Sequence, residues 1–156
     1  MPTTPITFEY TKEQIFNKCC LMSAYMTKNL KDGGQSAMDD YSMTDDEEDI
    51  YSACLESSLP DTWETVLKIT SSVDSAYEIS DSGTVTIKIQ DNDAYNPNTK
   101  DLVDASMKNC VIYGVLRDFY ATCYHPDLLK VANDRYNAEL AKLEHRLFQL
   151  KKKALA

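Results

Sequence analysis

Two residues apart, Cys123 and His125 combine a thiol with an imidazole, the pair that a thiol nucleophile and its general base require. They fall at the end of a predicted helix without evident oxyanion donors, so the plainer role for His125 is helix capping or an interface. His125 and His145 are the only histidines, and neither has the H-E-x-x-H or a similar metal spacing. Five cysteines, Cys19, Cys20, Cys54, Cys110 and Cys123, are odd in number and two are adjacent. That suits neither a disulfide framework nor a C-x-x-C metal knuckle, and the expectation is small buried apolar side chains in a reducing compartment. With four glycines in the chain, Gly33-Gly34 is not followed by the G-K-[ST] of a phosphate-binding loop, and there is no G-x-S-x-G elbow. No catalytic residue, metal or cofactor is expected.

Carboxylates are the next candidates, because seven of the eleven residues from 39 to 49 are Asp or Glu. The D-x-[DN]-x-[DN]-G calcium-loop pattern is absent there and at Asp91-Asn92-Asp93, where Tyr95 and Asn96 occupy the positions for a ligand and the turn glycine. Acidic residues at a helix N-terminus instead complement its dipole. Lys151, Lys152 and Lys153 do the same at a C-terminus, with phosphate or partner contact as the competing role. Tyr113, Tyr120, Tyr124 and Tyr136 have the look of a base-stacking platform but lack interleaved Arg or Lys, so packing between two helices is the better account.

The elements that must position these residues follow from periodicity. The 156 residues suit one domain, and 43% hydrophobic with 26% charged residues is ordinary for a globular chain. Thr11 to Gln14 forms a capping box opening a helix over 11–32, with Ile15, Cys19, Met22 and Met26 inward, Phe16 and Leu21 beside them, and "DGG" as its stop. Thr44 to Glu47 is a second capping box for a helix over 44–69. Ile50, Tyr51, Cys54, Leu55 and Leu59 form its stripe, Pro60 breaks or restarts it, and Trp63, Val66 and Leu67 then point inward. Over 76–90 the period changes to alternation, giving a β-hairpin that must lie on the helices or pair with a neighbouring subunit. A core helix over 101–124, capped by Thr99 or Asn98, ends at His125-Pro126. A long terminal helix over 126–153 carries Leu129, Ala132, Tyr136, Leu140, Leu143, Leu147 and Leu150 at near-heptad spacing, and its end is expected to project from the body. The fold expected is mainly α, a bundle of about four helices with one β-hairpin insertion and a long C-terminal helix.

Charge is polarised along this plan. The net charge is −9, yet the residues from His125 onward carry +3, leaving −12 on residues 1–124. Such a body repels phosphates and disfavours general DNA or RNA binding, while its two ends suit stacking against copies of itself. The uncharged run Asn109 to Leu116 is far short of the roughly 20 residues of a membrane span. The N-terminus lacks the features of a signal peptide, so the protein is expected to remain where it is made.

The order of elements, and the final two helices above all, resemble the head-to-tail connector (adaptor) proteins of tailed bacteriophages. Phe119-Tyr120, the break at His125-Pro126, then Ala132, Tyr136, Ala138, Leu143, Arg146, Leu147 and Lys151 to Lys153 carry the likeness, supported by Thr11 to Ile15 and by Asp45 to Ile50. The hairpin departs from the all-helical members. The resemblance implies a structural virion subunit, made in the host cytoplasm and located in the neck. It implies a ring, typically twelve-fold, under the portal, which extends the DNA channel and docks the tail or further neck proteins. DNA would pass without specific binding, and no reaction is implied. The expected docking residues are Leu143, Arg146, Leu147, Leu150, Lys151, Lys152 and Lys153, and the expected inter-subunit acidic residues are Asp45, Asp46, Glu47, Glu48 and Asp49. The alternative is a small intracellular helical adaptor or regulatory module that binds a partner through its C-terminal helix.

Overall fold

Thr11 opens the first helix as its spacing predicts. Its Oγ1 accepts a hydrogen bond from the Gln14 backbone N–H at 3.2 Å, and the Gln14 side-chain oxygen accepts from the Thr11 N–H at 2.9 Å. In a computed structural model that describes residues 6–28, 31–32, 35–36, 42–44, 48–70, 76–89 and 99–151, this helix is α1, Lys12–Thr27. It stops short of the expected residue 32, and the chain continues into a two-residue ladder, β2 (Lys31–Asp32) with β3 (Gln35–Ser36). Its buried face also differs from the apolar stripe. Leu21 is exposed, Met22 and Met26 are partly buried, and Ser23 and Thr27 are fully buried. The two hydroxyls are tolerated because they donate to the carbonyls of Cys20 and Ser23, at 3.0 and 2.7 Å.

The second helix, α2, runs Glu48–Thr70 without interruption through Pro60. Proline cannot donate to the Glu56 carbonyl, yet both residues are exposed, where water can satisfy that oxygen. Tyr51, Cys54, Leu55, Leu59 and Val66 are buried as expected, whereas Ile50 and Leu67 turn outward. The second expected capping box, Thr44 to Glu47, includes residues 45–47, which lie outside the described segments.

Strands β4 (Ala76–Ile79) and β5 (Val85–Ile89) form the expected hairpin, with Gly83 at φ +84° closing its turn. Val85, Ile87 and Ile89 point into the core and Lys88 points out. The hairpin is not left with an open inner edge. β1, Ile6–Tyr10, pairs antiparallel with β5, placing Phe8 opposite Ile87 and Tyr10 opposite Val85, so the sheet order is β1-β5-β4. Trp63 of α2 meets Tyr77 of β4 with ring centroids 5.4 Å apart, and the Tyr10 hydroxyl donates to Asp104 of the next helix at 2.7 Å. The sheet is thereby fastened to the helices.

Helices α3 (Lys100–Thr122) and α4 (Pro126–Lys151) pack antiparallel as the main pair of the bundle. Thr99 precedes α3 without capping it through its side chain. At Gly114 three helices approach closely, since a Cβ there would lie 3.2 Å from Ser58 of α2 and 3.4 Å from the Tyr136 ring of α4. The Tyr136 hydroxyl also shares a buried 2.9 Å hydrogen bond with Thr62. The expected projecting end of the long helix is corrected by its burial: Leu143, Leu147 and Leu150 are 0%, 0% and 1% exposed. The described chain is mainly α, four helices and a three-stranded sheet around one core.

Candidate interaction surface

The turn between α3 and α4 is built by three consecutive residues with distinct roles. The Tyr124 N–H donates to Ala121 O and the His125 N–H to Tyr120 O, the paired bonds that close a helix when the intervening residue is left-handed. That residue is Tyr124, at φ +54°, where glycine is the usual occupant. His125 then caps α4, its Nδ1 accepting the Leu128 N–H at 3.1 Å ahead of Pro126 at the first helical position. An Nδ1 engaged in this way does not serve as base to Cys123.

Beside this turn lies an open groove of about 800 Å³ between the first half of α2 and the last turns of α3. Ile50, Ala53, Cys54 and Ala121 give it apolar walls, Tyr124 stands at its rim 90% exposed, and Asp49 and Asp118 supply carboxylates. Arg117 organises the acid side. Its guanidinium donates to Asp118 at 3.0 Å and Asp61 at 2.8 Å, and lies 4.5 Å from the centre of the Tyr136 ring. Burial alone would lower the Arg117 pKa, but hydrogen bonds to Asp61 and Asp118 raise it, so the charge is secure. Asp118 Oδ2 is buried and has no hydrogen-bond partner among the described residues. The Cys54 thiol is pushed up to about 11 by burial, Asp118 and Cys123. Cys19 and Cys110 are raised further by burial, so these thiols stay protonated and poorly nucleophilic.

The residues expected to bind partners are sorted by this geometry. Leu143, Leu147 and Leu150 are consumed by the chain's own core and present no docking surface. Arg146 also turns inward, donating to Ser106 Oγ at 2.6 Å and the Leu102 carbonyl at 3.2 Å. Lys151 is the last residue of α4, while Lys152 and Lys153 lie outside the described residues, as do Asp45, Asp46 and Glu47. Glu48 is paired with Lys12 across α1 and α2. Of the two described members of the acidic set, Glu48 and Asp49, it is Asp49 that lines the groove.

Tyr113, Tyr120 and Tyr136 pack inward as expected of interhelical tyrosines, but Tyr124 does not. The left-handed helix cap that turns it outward favours glycine or asparagine, so a tyrosine there gives no sequence signal for it. Among the described residues no group of three His, Cys, Asp or Glu is placed to hold a metal ion, and no helix is long and apolar enough to cross a membrane. No protein-family model matches the chain, and neither a curated protein nor a solved structure is significantly similar to it.

Proposed function

We propose that this chain is a subunit of a head-to-tail connector ring in the neck of a tailed bacteriophage, made in the host cytoplasm and acting by assembly. Its partners would be further copies of itself, the portal protein and the tail or further neck proteins, with DNA passing through the ring unbound. The observation that carries the reading is the axial polarity of the α3–α4 pair. The acid-lined groove and Tyr124 lie at one end, and Lys151 lies at the other, at the far end of a 26-residue helix about 39 Å long. A subunit with unlike, complementary ends associates head to tail, and such contacts close into rings when the rotation allows. A net charge of −9 also suits a channel through which DNA slides without sticking.

The competing reading, a helical adaptor using a seam on the terminal helix, loses its seam to the core. It would have to use the outer face of α4, where Val131 and Phe148 are exposed. Native mass spectrometry of the protein alone and with a portal ring separates the two. Many copies, free or portal-bound, are expected of the connector, and a monomer or dimer indifferent to the portal would remove it.

A further inference from the structure

We infer that the α2–α3 groove beside Tyr124 is the receiving site for the basic segment Lys151–Ala156 of a second copy, an inference that rests on the ring reading and supplies its joint. The complementarity is of two kinds. The segment reads Lys-Lys-Lys-Ala-Leu-Ala, three cations followed by small and branched apolar side chains. The groove presents Ile50, Ala53 and Ala121 for the apolar part, with Tyr124 at its rim. Its charged groups favour the lysines: Asp49 is unpaired by any ion pair among the described residues, and Arg117 is shared between Asp61 and Asp118, leaving that trio net acidic. A cation brought to this end therefore meets a net acidic surface, with Asp49 on the α2 wall as its direct partner.

Geometry excludes the chain's own segment. The groove adjoins the start of α4, and Lys151 ends that helix about 38 Å away at 1.5 Å per residue. Residues 152–156, fully extended, span at most about 18 Å. The contact is possible only between copies, and because groove and segment are different surfaces at opposite ends, it is heterologous and propagates. Tyr124 fits the same assignment. A left-handed backbone costs a tyrosine more than a glycine, and what the tyrosine adds at this position is an exposed aromatic ring on the groove rim.

The test compares three full-length proteins by native mass spectrometry at matched concentration. One is unaltered, one carries Lys151→Glu, Lys152→Glu and Lys153→Glu, and one carries Ala53→Arg, which fills the groove from an exposed position on α2. The unaltered protein is expected to give oligomers that dissociate as salt is raised, and each variant alone is expected to be monomeric. Their equimolar mixture is expected to form a dimer and stop there, because it contains one intact groove and one intact segment. If both variants assemble like the unaltered protein, the groove is not the joint although the ring reading stands. A mixture that stays monomeric also overturns the inference, as does an unaltered protein that is monomeric throughout; the ring reading is then decided by the portal mixture alone.

Discussion

Tyr124 and His125 show how a two-residue turn can be costly at one position and stabilising at the next. A non-glycine residue in the left-handed region costs on the order of 1 kcal/mol. Tyr124→Gly is therefore expected to raise the unfolding free energy by about 1 kcal/mol in urea titration, while reducing self-assembly by removing the ring at the groove rim. Lower stability would mean that the tyrosine side chain supports the fold and that its exposure misleads. At the neighbouring position the balance reverses. His125→Ala removes the acceptor for the Leu128 N–H and should cost about 1 kcal/mol, whereas His125→Asn, a good cap, should keep most of it. Equal losses in the two variants would place the contribution of His125 elsewhere than in the cap. The capping role was visible in "HPD"; the left-handed tyrosine was not, because no local rule selects tyrosine for that conformation.

Between elements, Gly114 lies close against Ser58 and Tyr136. Gly114→Ala gains helix propensity of about 1 kcal/mol but forces three helices apart, so a net loss of about 1 to 2 kcal/mol is expected on thermal or urea unfolding. A net gain would show that α2 can give way. Ser58 supplies the opposite case: its buried hydroxyl has no partner among the described residues, so Ser58→Ala should be neutral or stabilising. Periodicity made α3, α4 and the β4–β5 hairpin legible, since each keeps one period over its whole length. β1 also alternates, as Ile6, Phe8 and Tyr10, but five residues gain little until a partner edge exists, and that edge lies some eighty residues away in sequence. The leucines of α4 mark an apolar stripe in either reading of that helix. Whether the stripe is covered by the same chain or another is a tertiary fact, and here α3 and α2 cover it.

Over the whole molecule, the buried thiols and phenols make alkaline stability a test of the packing. Burial, followed by Asp118 and Cys123, raises the Cys54 thiol from its ordinary value near 9 to about 11. Burial also drives Tyr10, Tyr51 and Tyr120 well above the usual phenol range. The unfolded chain releases these protons at ordinary values while the folded chain retains them. Their contribution is thus fully present below pH 9 and is lost as the pH climbs toward 11. The urea midpoint should fall progressively from pH 8 to pH 11, with Cys54 alone accounting for on the order of 1 kcal/mol. Cys54→Ala should flatten the part of that slope nearest pH 9 to 11 whatever it does to absolute stability. Since Cys54 lines the groove and touches the α2–α3 contact, a midpoint indifferent to pH over this range would mean that α2 does not seal against α3. The groove would then be a gap in the bundle, with no walls to receive a neighbouring subunit.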